Sequence, residues 1–490
     1  METLVKIAQF LLSLSILIII HEFGHFLFAR LSGTRVEKFY MFFNSRFSIF
    51  RFKKVNGKWA WKWFAPNVPD AYSKITRTNE ETNKEETVYE PIPLESLPDD
   101  DWRKYPDQTE WGLGWIPLGG YCKIAGMIDE SMDKEAMKQP AKPWEFRSKN
   151  AFQRLMIMVG GVLFNFILAL LLFGMTLYIW GEQYLPNSEL KYGVVCDSTA
   201  LRAGLRDGDR ILSIDGRPVD NFANIVSSIL LEEATTIQVL REGIPTEIQL
   251  PEGIVADILQ HQASGFVSPR MPAVVAGFIP NSRAERIGLH IGDTIVSISG
   301  IPVCLDQIRP ILEDSLYRDL TIGVKRTDTY LEFHYTPDTT LLGFYNPPLS
   351  ALFQLKTEKY NLLSAIPAGI RKGWKTGVDY VKQLKLVAKP ETKAYESLGG
   401  FIAIGKIFPS MWNWQSFWTL TAFLSIMLAI MNVLPIPALD GGHILFLLIE
   451  IITGRRPSDK VMEYAQMAGM ILLLALLLYA NGNDVVKLFR

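Results

Sequence analysis

The run LVKIAQFLLSLSILIIIHEFGHFLFARL, residues 4–31, decides the class of fold because it is apolar over more than the thickness of a bilayer. A helix needs about 20 largely apolar residues to cross the hydrocarbon core, since lipid offers no hydrogen-bond partner to an exposed backbone. His21, Glu22 and His25 interrupt this run. Because ionisable side chains are costly in lipid, their presence inside a span indicates a functional site.

Three further stretches are predicted to span the membrane. Residues 155–180 contain no charged side chain, and neither do residues 407–439, where we place the span at about 412–439. Residues 462–480 are shorter, so a buried helix of a soluble domain is the alternative there. We therefore expect a multi-pass α-helical membrane protein with about four transmembrane helices, whose core has two halves, residues 1–186 and 407–490.

The composition fits a membrane part joined to soluble domains. Of the 490 residues, 48% are hydrophobic and 21% are charged. The net charge of −1 gives no reason to expect a nucleic-acid partner. Three cysteines without a CxxC pair are too few and too scattered for a disulfide framework.

The Lys and Arg residues near the spans predict the orientation of the chain. They cluster after the first span, before the second, and between the third and fourth: Arg30, Arg35, Lys38, Lys142, Arg147, Lys149, Arg154, Arg455, Arg456 and Lys460. Short loops rich in Lys and Arg stay in the cytoplasm. We therefore expect residues 181–406 and both termini to be external, and His21 and His25 to lie towards the cytoplasmic side.

Residues 198–219 and 282–303 repeat one sequence. STALRAGLRDGDRILSIDGRPV and SRAERIGLHIGDTIVSISGIPV are identical at thirteen of 22 aligned positions. Such a repeat indicates two copies of one domain. The shared pattern GLxxGDxIxSIxGxPV resembles the PDZ domain, and we place the copies at 187–255 and 264–340.

The PDZ resemblance implies two small, β-sandwich-like α+β domains that bind an extended peptide or a free C-terminus along a sheet edge. The alternative is that they act only as spacers or as a filter on substrate size. The sequence leaves both open.

Residues 359–388 are predicted to form an amphipathic helix. Leu362, Ile366, Ile370 and Trp374 recur every fourth residue, and basic residues lie between or beyond them. A helix lying on the membrane surface is the favoured interpretation, with packing against a PDZ domain as the alternative.

The motif HEFGH, residues 21–25, has the pattern HExxH. On a helix, His21 and His25 project from one face one turn apart, so both can bind one Zn²⁺. Glu22 stands beside the first ligand and can act as a general base towards a metal-bound water. The alternative is a polar contact between helices without a metal.

A catalytic zinc ion takes three protein ligands and one open position. Asp440 is the first charged residue after the uncharged run 407–439, so it is the expected third ligand; a plain helix-terminal aspartate is the alternative. His443 is expected to orient a ligand or the substrate. The other histidines fall in the region predicted to be external: His261, His290 and His334.

HExxH in the first span and NVLPIPALDGG, residues 432–442, near the end of a later span resemble the site-2 protease family of intramembrane zinc proteases. The arrangement is most similar to the bacterial RseP branch of that family, the regulator of sigma-E proteases, which carries tandem PDZ domains. The resemblance implies that His21, His25 and Asp440 bind Zn²⁺ and that Glu22 activates water.

The same resemblance assigns roles around the metal site. It implies that Asn432 hydrogen-bonds the backbone of an unwound substrate, and that Pro435 and Pro437 shape a break in the helix. Gly161 and Asn165 are similar to the GxxxN packing contact of the family, and we expect both to support the site.

Two more passages match the branch, and the stretch 65–110 is where the sequence departs from the shorter family members. PLGGYCKIAGM, residues 117–127, resembles its PLGGY motif. Residues 39–52, within a β region at 35–64, match the position of a membrane-re-entrant β-hairpin, although an interfacial aromatic belt is the alternative. The acidic stretch 65–110 is expected to be a solvated cytoplasmic insert, with partner binding as the alternative.

The resemblance implies an endopeptidase of the bacterial inner membrane. Its expected substrates are single-span membrane proteins, cut within or near the transmembrane segment after another protease has trimmed them, such as anti-sigma factors and remnant signal peptides. A competing hypothesis is a non-catalytic PDZ scaffold with a structural metal. Glu22 argues against it, since a structural site needs no base beside its ligand.

Overall fold

The computed structural model describes residues 2–67, 72–78, 85–91, 94–117, 119–127, 140–260, 265–315, 318–337 and 341–489. The chain forms two compact units. The helical unit contains Met1–Trp180, Tyr360–Tyr380 and Gly399–Arg490, and the repeat unit contains Gly181–Lys359 and Val381–Leu398.

The elements are numbered in chain order within the described residues. The α-helices are α1 (Glu2–Leu31), α2 (Ala151–Trp180), α3 (Ser198–Arg202), α4 (Asn224–Glu232), α5 (Ile254–Gln260), α6 (Arg283–Arg286), α7 (Leu305–Asp314), α8 (Leu349–Leu352), α9 (Leu362–Ala388), α10 (Phe401–Lys406), α11 (Trp414–Val433), α12 (Asp440–Thr453) and α13 (Asp459–Phe489). The strands are β1 (Val36–Met41), β2 (Phe47–Val55), β3 (Lys58–Pro66), β4 (Tyr72–Thr78), β5 (Glu85–Pro91), β6 (Glu110–Leu113), β7 (Tyr121–Ile124), β8 (Glu182–Tyr184), β9 (Val194–Cys196), β10 (Arg210–Ile214), β11 (Arg217–Pro218), β12 (Thr236–Arg241), β13 (Ile244–Gln249), β14 (Val267–Pro269), β15 (Ala273–Val274), β16 (Gly277–Phe278), β17 (Thr294–Ile298), β18 (Ile301–Pro302), β19 (Leu320–Arg326), β20 (Thr329–Tyr335), β21 (Phe344–Tyr345) and β22 (Lys356–Glu358).

Four helices are long and apolar enough to cross a membrane: α1, α2, α11 and α13. This confirms the predicted number of spans. The predicted C-terminal end of the third span is wrong, because α11 stops at Val433 and not at residue 439. Pro435 and Pro437 have no amide hydrogen to continue a helix, and Ala438 takes a left-handed φ of 87°. The chain resumes as α12, a helix that the sequence analysis did not predict.

Helix α2 packs against α1, α11 and α12. It crosses α1 where Gly24 and Gly160 meet, and a Cβ added to Gly24 would lie 2.2 Å from the Gly160 oxygen. Small residues allow such close approach between membrane helices. Ser425 of α11 donates a hydrogen bond to the Asn165 carbonyl of α2 at 2.7 Å. The helices that carry the candidate site residues are therefore held close together.

Five strands form one sheet in the order β3-β2-β6-β1-β7, with β1 and β6 parallel. The predicted hairpin over residues 39–52 is wrong, because β6 lies between β1 and β2. The hairpin of this sheet is formed by β2 and β3 instead. Only distant pairing, between residues 36–55 and 110–124, decides this order.

One face of the sheet is aromatic. Trp61, Phe52, Trp111 and Phe39 occupy facing positions on β3, β2, β6 and β1. The Phe39 and Trp111 rings pack against Phe26 of α1, with ring centroids 5.9 and 5.0 Å away. At the outer strand β3 the aromatic rings remain exposed: Trp59, Trp61 and Trp63.

The opposite face of the sheet buries a polar network around Glu110. Its carboxylate accepts hydrogen bonds from the Tyr40 hydroxyl at 2.5 Å and from Trp102 Nε1 at 3.1 Å, and lies 3.3 Å from Arg51. Burial opposes ionisation, but Lys38, Arg51 and these hydrogen bonds hold the pKa of Glu110 below its ordinary value. The interpretation of residues 65–110 as a solvated insert is therefore wrong at its end, where Glu110 is fully buried.

Helix α9 packs against α2 and α11 within the helical unit. Its contact face carries a small residue at every fourth position, Ala365, Gly369, Gly373 and Gly377. A Cβ added to Gly369 would lie 2.5 Å from the Gly174 amide nitrogen of α2. Neither predicted environment of the 359–388 helix included this contact, although small residues in this spacing are typical of membrane-helix packing. The apolar side chains named in the prediction remain exposed, Trp374 among them.

The repeat unit contains two copies of one fold. Strands β10, β12 and β13 of the first copy correspond to β17, β19 and β20 of the second, and both sets are antiparallel. Arg241 forms a two-point ion pair with buried Asp209, and Arg326 forms the same pair with Asp293. The repeat predicted from sequence is therefore a repeat in structure.

The predicted C-terminal boundary of each copy lies too early in the sequence. Strand β9 of the first copy pairs with β14, which extends that copy to Pro269 and not to residue 255. Strand β16 of the second copy pairs with β21, which extends it to Tyr345 and not to residue 340. Each copy is closed by a strand that lies beyond the repeated sequence, so the repeat alone did not reveal it.

Candidate metal centre

Helix α1 brings His21 and His25 together. Four residues make slightly more than one turn, so the two imidazoles project from the same face. Their Nε2 atoms lie 3.3 Å apart. His25 also makes a 2.9 Å hydrogen bond from Nδ1 to the Ile157 carbonyl of α2, which fixes its ring and leaves Nε2 directed at His21.

Asp440 completes the group from the first position of α12. Its Oδ2 atom lies 3.1 Å from His21 Nε2 and 3.2 Å from His25 Nε2. Among the described residues, these three side chains each offer one ligand atom close enough to the others to share one metal ion. Asp440 lies 419 residues after His21 and 415 after His25 in the sequence, and the break at residues 434–439 brings it to them.

The spacing of the three ligand atoms fits a zinc ion. Zinc binds histidine nitrogen and carboxylate oxygen at about 2.0–2.2 Å with tetrahedral geometry, which requires ligand atoms roughly 3.3–3.5 Å apart. The observed separations are 3.1, 3.2 and 3.3 Å. Asp440 Oδ2 is buried and has no hydrogen-bond partner in the described part of the chain. A buried carboxylate oxygen of this kind suits a metal ligand.

Gly161 and Asn165 of α2 lie directly behind the histidines. A Cβ added to Gly161 would lie 2.5 Å from His25 Nε2 and 2.7 Å from His21 Cε1, so a side chain here would enter the site. The Asn165 amide lies 3.2 Å from His21 Nδ1. When Nε2 binds a metal, Nδ1 carries the proton, and a 180° rotation of the amide would present Oδ1 to it. That oxygen is buried and otherwise has no partner among the described residues.

The loop before Asp440 is held closely to its neighbours. Asn432 Nδ2 lies 3.5 Å from His21 Nε2, so the asparagine borders the candidate ligands. A Cβ added to Gly441 would lie 2.1 Å from the Leu434 carbonyl oxygen, and one added to Gly442 would lie 2.6 Å from Pro437 Cα. The glycines that follow Asp440 therefore let the proline-containing loop fold back over the start of α12.

Glu22 is half-buried beside this group. Strand β7 packs against α1, and just before this strand a Cβ added to Gly120 would lie 2.6 Å from Ile18 Cγ2, about one turn ahead of Glu22. The edge strand of the five-stranded sheet therefore passes beside the HExxH motif. Tyr121, the last residue of PLGGY, is the first residue of β7 and pairs with Tyr40 of β1.

His443 lies outside the metal triangle. Its Nε2 atom is 2.9 Å from the Gln466 amide nitrogen of α13. Both residues border a cavity of about 50 Å³, which the ion pair between Arg154 and Glu450 also lines. Arg154 is buried in that ion pair, so its charge is neutralised within the protein.

The structure unites most of the predicted site residues and adds others. Of the other histidines, His290 and His334 lie in the repeat unit and do not belong to the group, and the prediction for His261 falls outside the described residues. Sequence reasoning missed the Ile157 carbonyl, Gln466 and Gly469. A backbone carbonyl carries no sequence signal, whereas Gln466 begins an apolar run where a polar side chain suggests a specific partner.

Comparison with known proteins places relatives beside this chain over nearly its whole length. A profile of peptidase family M50 matches residues 9–90 and 101–476. The chain is 26% identical over 513 residues to the regulator of sigma E protease of Haemophilus influenzae, covering 100% of both chains. It is 27% identical over 507 residues to the regulator of sigma-E protease of Salmonella typhimurium, covering 99% of each. A Ralstonia nicotianae protein described as a zinc metalloprotease is 25% identical over 525 residues, again 99% of each chain.

Proposed function

This chain belongs to peptidase family M50 and is an intramembrane zinc metalloendopeptidase, and we propose that His21, His25 and Asp440 hold its zinc ion while Glu22 is the general base. The triangle of ligand atoms, with sides of 3.1 to 3.3 Å, carries this proposal. Gly161 and Asn165 support it, since one leaves space for the imidazoles and the other contacts Nδ1 of His21.

Glu22 and Asn432 have separate roles in peptide hydrolysis at this site. A zinc ion at this position supplies Lewis-acid chemistry, polarising the scissile carbonyl and making water more acidic. The Glu22 carboxylate accepts the proton of the attacking water and passes it to the departing amide nitrogen. Asn432, beside His21, donates a hydrogen bond to the substrate backbone and holds the scissile bond in register.

The substrate segment adds as an extended strand along β7. A peptide bond within a transmembrane helix is protected by the helix's own hydrogen bonds, so the segment must unwind before it is cut. Pairing with a sheet edge replaces the lost bonds. Two observations support β7 as this edge: it is the outer strand beside β1, and it packs against α1, the helix that carries Glu22.

The aromatic face of the sheet lies within the membrane or at its interface. Trp59, Trp61 and Trp63 would otherwise expose large apolar surfaces to water, whereas indole rings are favoured at the bilayer interface. The two copies in the repeat unit act as PDZ domains on the external side of a bacterial inner membrane. The metal centre lies towards the cytoplasmic side, in keeping with the basic residues that flank the spans.

The substrates are single-span membrane proteins that another protease has already trimmed. The names of the Haemophilus and Salmonella relatives, regulators of sigma E protease, support membrane-anchored anti-sigma factors as one class. Remnant signal peptides are the second class, because they present a short apolar helix with little attached to it.

Replacement of Glu22 by glutamine tests the catalytic assignment. Glu22→Gln should abolish cleavage of a tagged single-span substrate while one zinc ion per chain stays bound, because Glu22 is a base and not a ligand. Glu2→Gln, the same change at the exposed start of α1, is the matched control and should remain active. If Glu22→Gln lost its zinc, the residue would be a ligand and the proposal would fail.

A further inference from the structure

Helix α13 approaches the loop that precedes Asp440 very closely at Gly469. A Cβ added to Gly469 would lie 1.5 Å from the Pro437 carbonyl oxygen and 2.4 Å from its carbon. No side chain can occupy such a space, so the backbone of α13 rests directly on the Pro437 peptide. Three residues earlier, on the same face of the helix, Gln466 contacts His443 of α12.

These two contacts are prominent because α13 is otherwise little buried. In its most apolar stretch only 6% of residues are buried, against 44% in α2 and 39% in α11. A second attachment lies at the other end of the helix, where Asp484 accepts hydrogen bonds from the Gly400 and Ala403 amides. Gln466 and Gly469 therefore form the attachment of α13 to the metal-binding region.

The loop beneath Gly469 needs such support. Ala438 has a φ of 87°, a left-handed conformation that a residue with a Cβ adopts only when its surroundings impose it. Pro437 immediately precedes Ala438, and Asp440 follows two residues later. A shift of the Pro437 peptide would let Ala438 relax and would move the start of α12, including the Asp440 carboxylate.

We infer that Gly469 and Gln466 are positioning residues for Asp440, acting on the metal ligand through Pro437 and His443. The inference rests on the proposed role of Asp440 as a zinc ligand. Residues that orient a ligand from behind commonly contribute about 10- to 100-fold in metal affinity. The last span is thus part of the metal centre without supplying a ligand to it.

The test compares two glycine substitutions in one helix. Gly469→Ala should lower zinc affinity by about 10- to 100-fold, measured on the purified full-length protein by competition with a chelator. Gly482→Ala is the matched control, because it also lies in α13 and a Cβ added there meets no atom within 4 Å. Both changes raise helix propensity equally, so a difference between them reports on the Pro437 contact.

Two more variants separate positioning from general disruption. Gln466→Met keeps the length and helix propensity of the side chain but removes the contact with His443; it should weaken zinc binding and shift the visible spectrum of the cobalt-substituted protein. Ala438→Gly, added to Gly469→Ala, should restore part of the zinc affinity, because glycine lets the loop pass around the new methyl group. A helix that had merely come loose would not be rescued by a change in the loop.

The outcomes distinguish this inference from the proposed function. If the wild-type protein binds no stoichiometric zinc, or Asp440→Ala binds it as tightly as the wild type, the ligand assignment fails. If both of those controls behave as expected while Gly469→Ala and Gln466→Met retain wild-type zinc affinity and cobalt spectrum, the positioning role is refuted. Should Gly469→Ala fail to fold, Gln466→Met decides by the same two measurements.

Discussion

Gly161 offers a direct test of the metal centre, because the imidazoles of His21 and His25 occupy the space that a side chain at position 161 would need. In Gly161→Ala the new carbon would lie 2.5 Å from His25 Nε2, whereas ordinary contacts begin near 3.4 Å. At least one histidine must therefore move by roughly 0.9 Å, and zinc sites tolerate only about 0.2 Å in ligand distance.

The expected result is a loss of zinc affinity of about 100-fold or more, equivalent to roughly 2.8 kcal/mol. The fold itself should survive, since alanine is favoured over glycine in a helix by up to about 1 kcal/mol. Gly174→Ala is the control in the same helix, because its nearest new contact is an ordinary 3.5 Å from the Ala365 oxygen.

Chelator competition on the detergent-solubilised protein measures the affinity, and thermal unfolding of the metal-free protein measures the effect on the fold. The reasoning is refuted if Gly161→Ala binds zinc as tightly as Gly174→Ala. It is also refuted if the metal-free variant unfolds far below the metal-free wild type, since the loss of zinc would then be a consequence of a damaged fold.

Two further predictions concern the sheet and the repeat unit. Glu110→Gln should destabilise the protein by about 3–5 kcal/mol at neutral pH, because it removes the carboxylate that lies 3.3 Å from the buried Arg51 guanidinium. The pKa of Glu110 in the folded state is depressed. Its ionised carboxylate therefore stabilises the fold above the unfolded-state pKa of about 4.3, and this stabilisation declines as the pH falls below that pKa. Melting temperatures that fall in parallel in the wild type and Glu110→Gln below that pH would contradict this. Deleting residues 185–355 and joining β8 to β22 by a short turn, where Tyr184 faces Lys356, should allow cleavage of an untrimmed substrate and leave cleavage of the trimmed form unchanged. Loss of activity on the trimmed form by a folded, zinc-loaded deletion protein would show that these domains recruit substrate and do not filter it.

Features encoded within one short segment were predictable from sequence. The spans α1 and α2 follow from unbroken apolar runs, because the bilayer sets the length of a helix that crosses it. His21 and His25 could be paired because helical periodicity alone places residues i and i+4 on one face. The repeat was recognisable because identical residues fold to identical local structure, as the equivalent Asp209 and Asp293 ion pairs illustrate.

What only the tertiary structure decided depends on residues far apart in the chain. The position of β6 between β1 and β2, and with it the burial of Glu110, arises from pairing between residues about 60 to 70 positions apart. The packing of α9 on α2 and the contact of Gly469 with Pro437 join segments whose own sequences do not specify a partner. Asp440 could be named as a candidate ligand from its charge in an apolar context, but its place beside the histidines follows a loop that contains the left-handed Ala438. Local patterns determine which elements form, whereas the free energy of packing between distant surfaces determines how those elements meet.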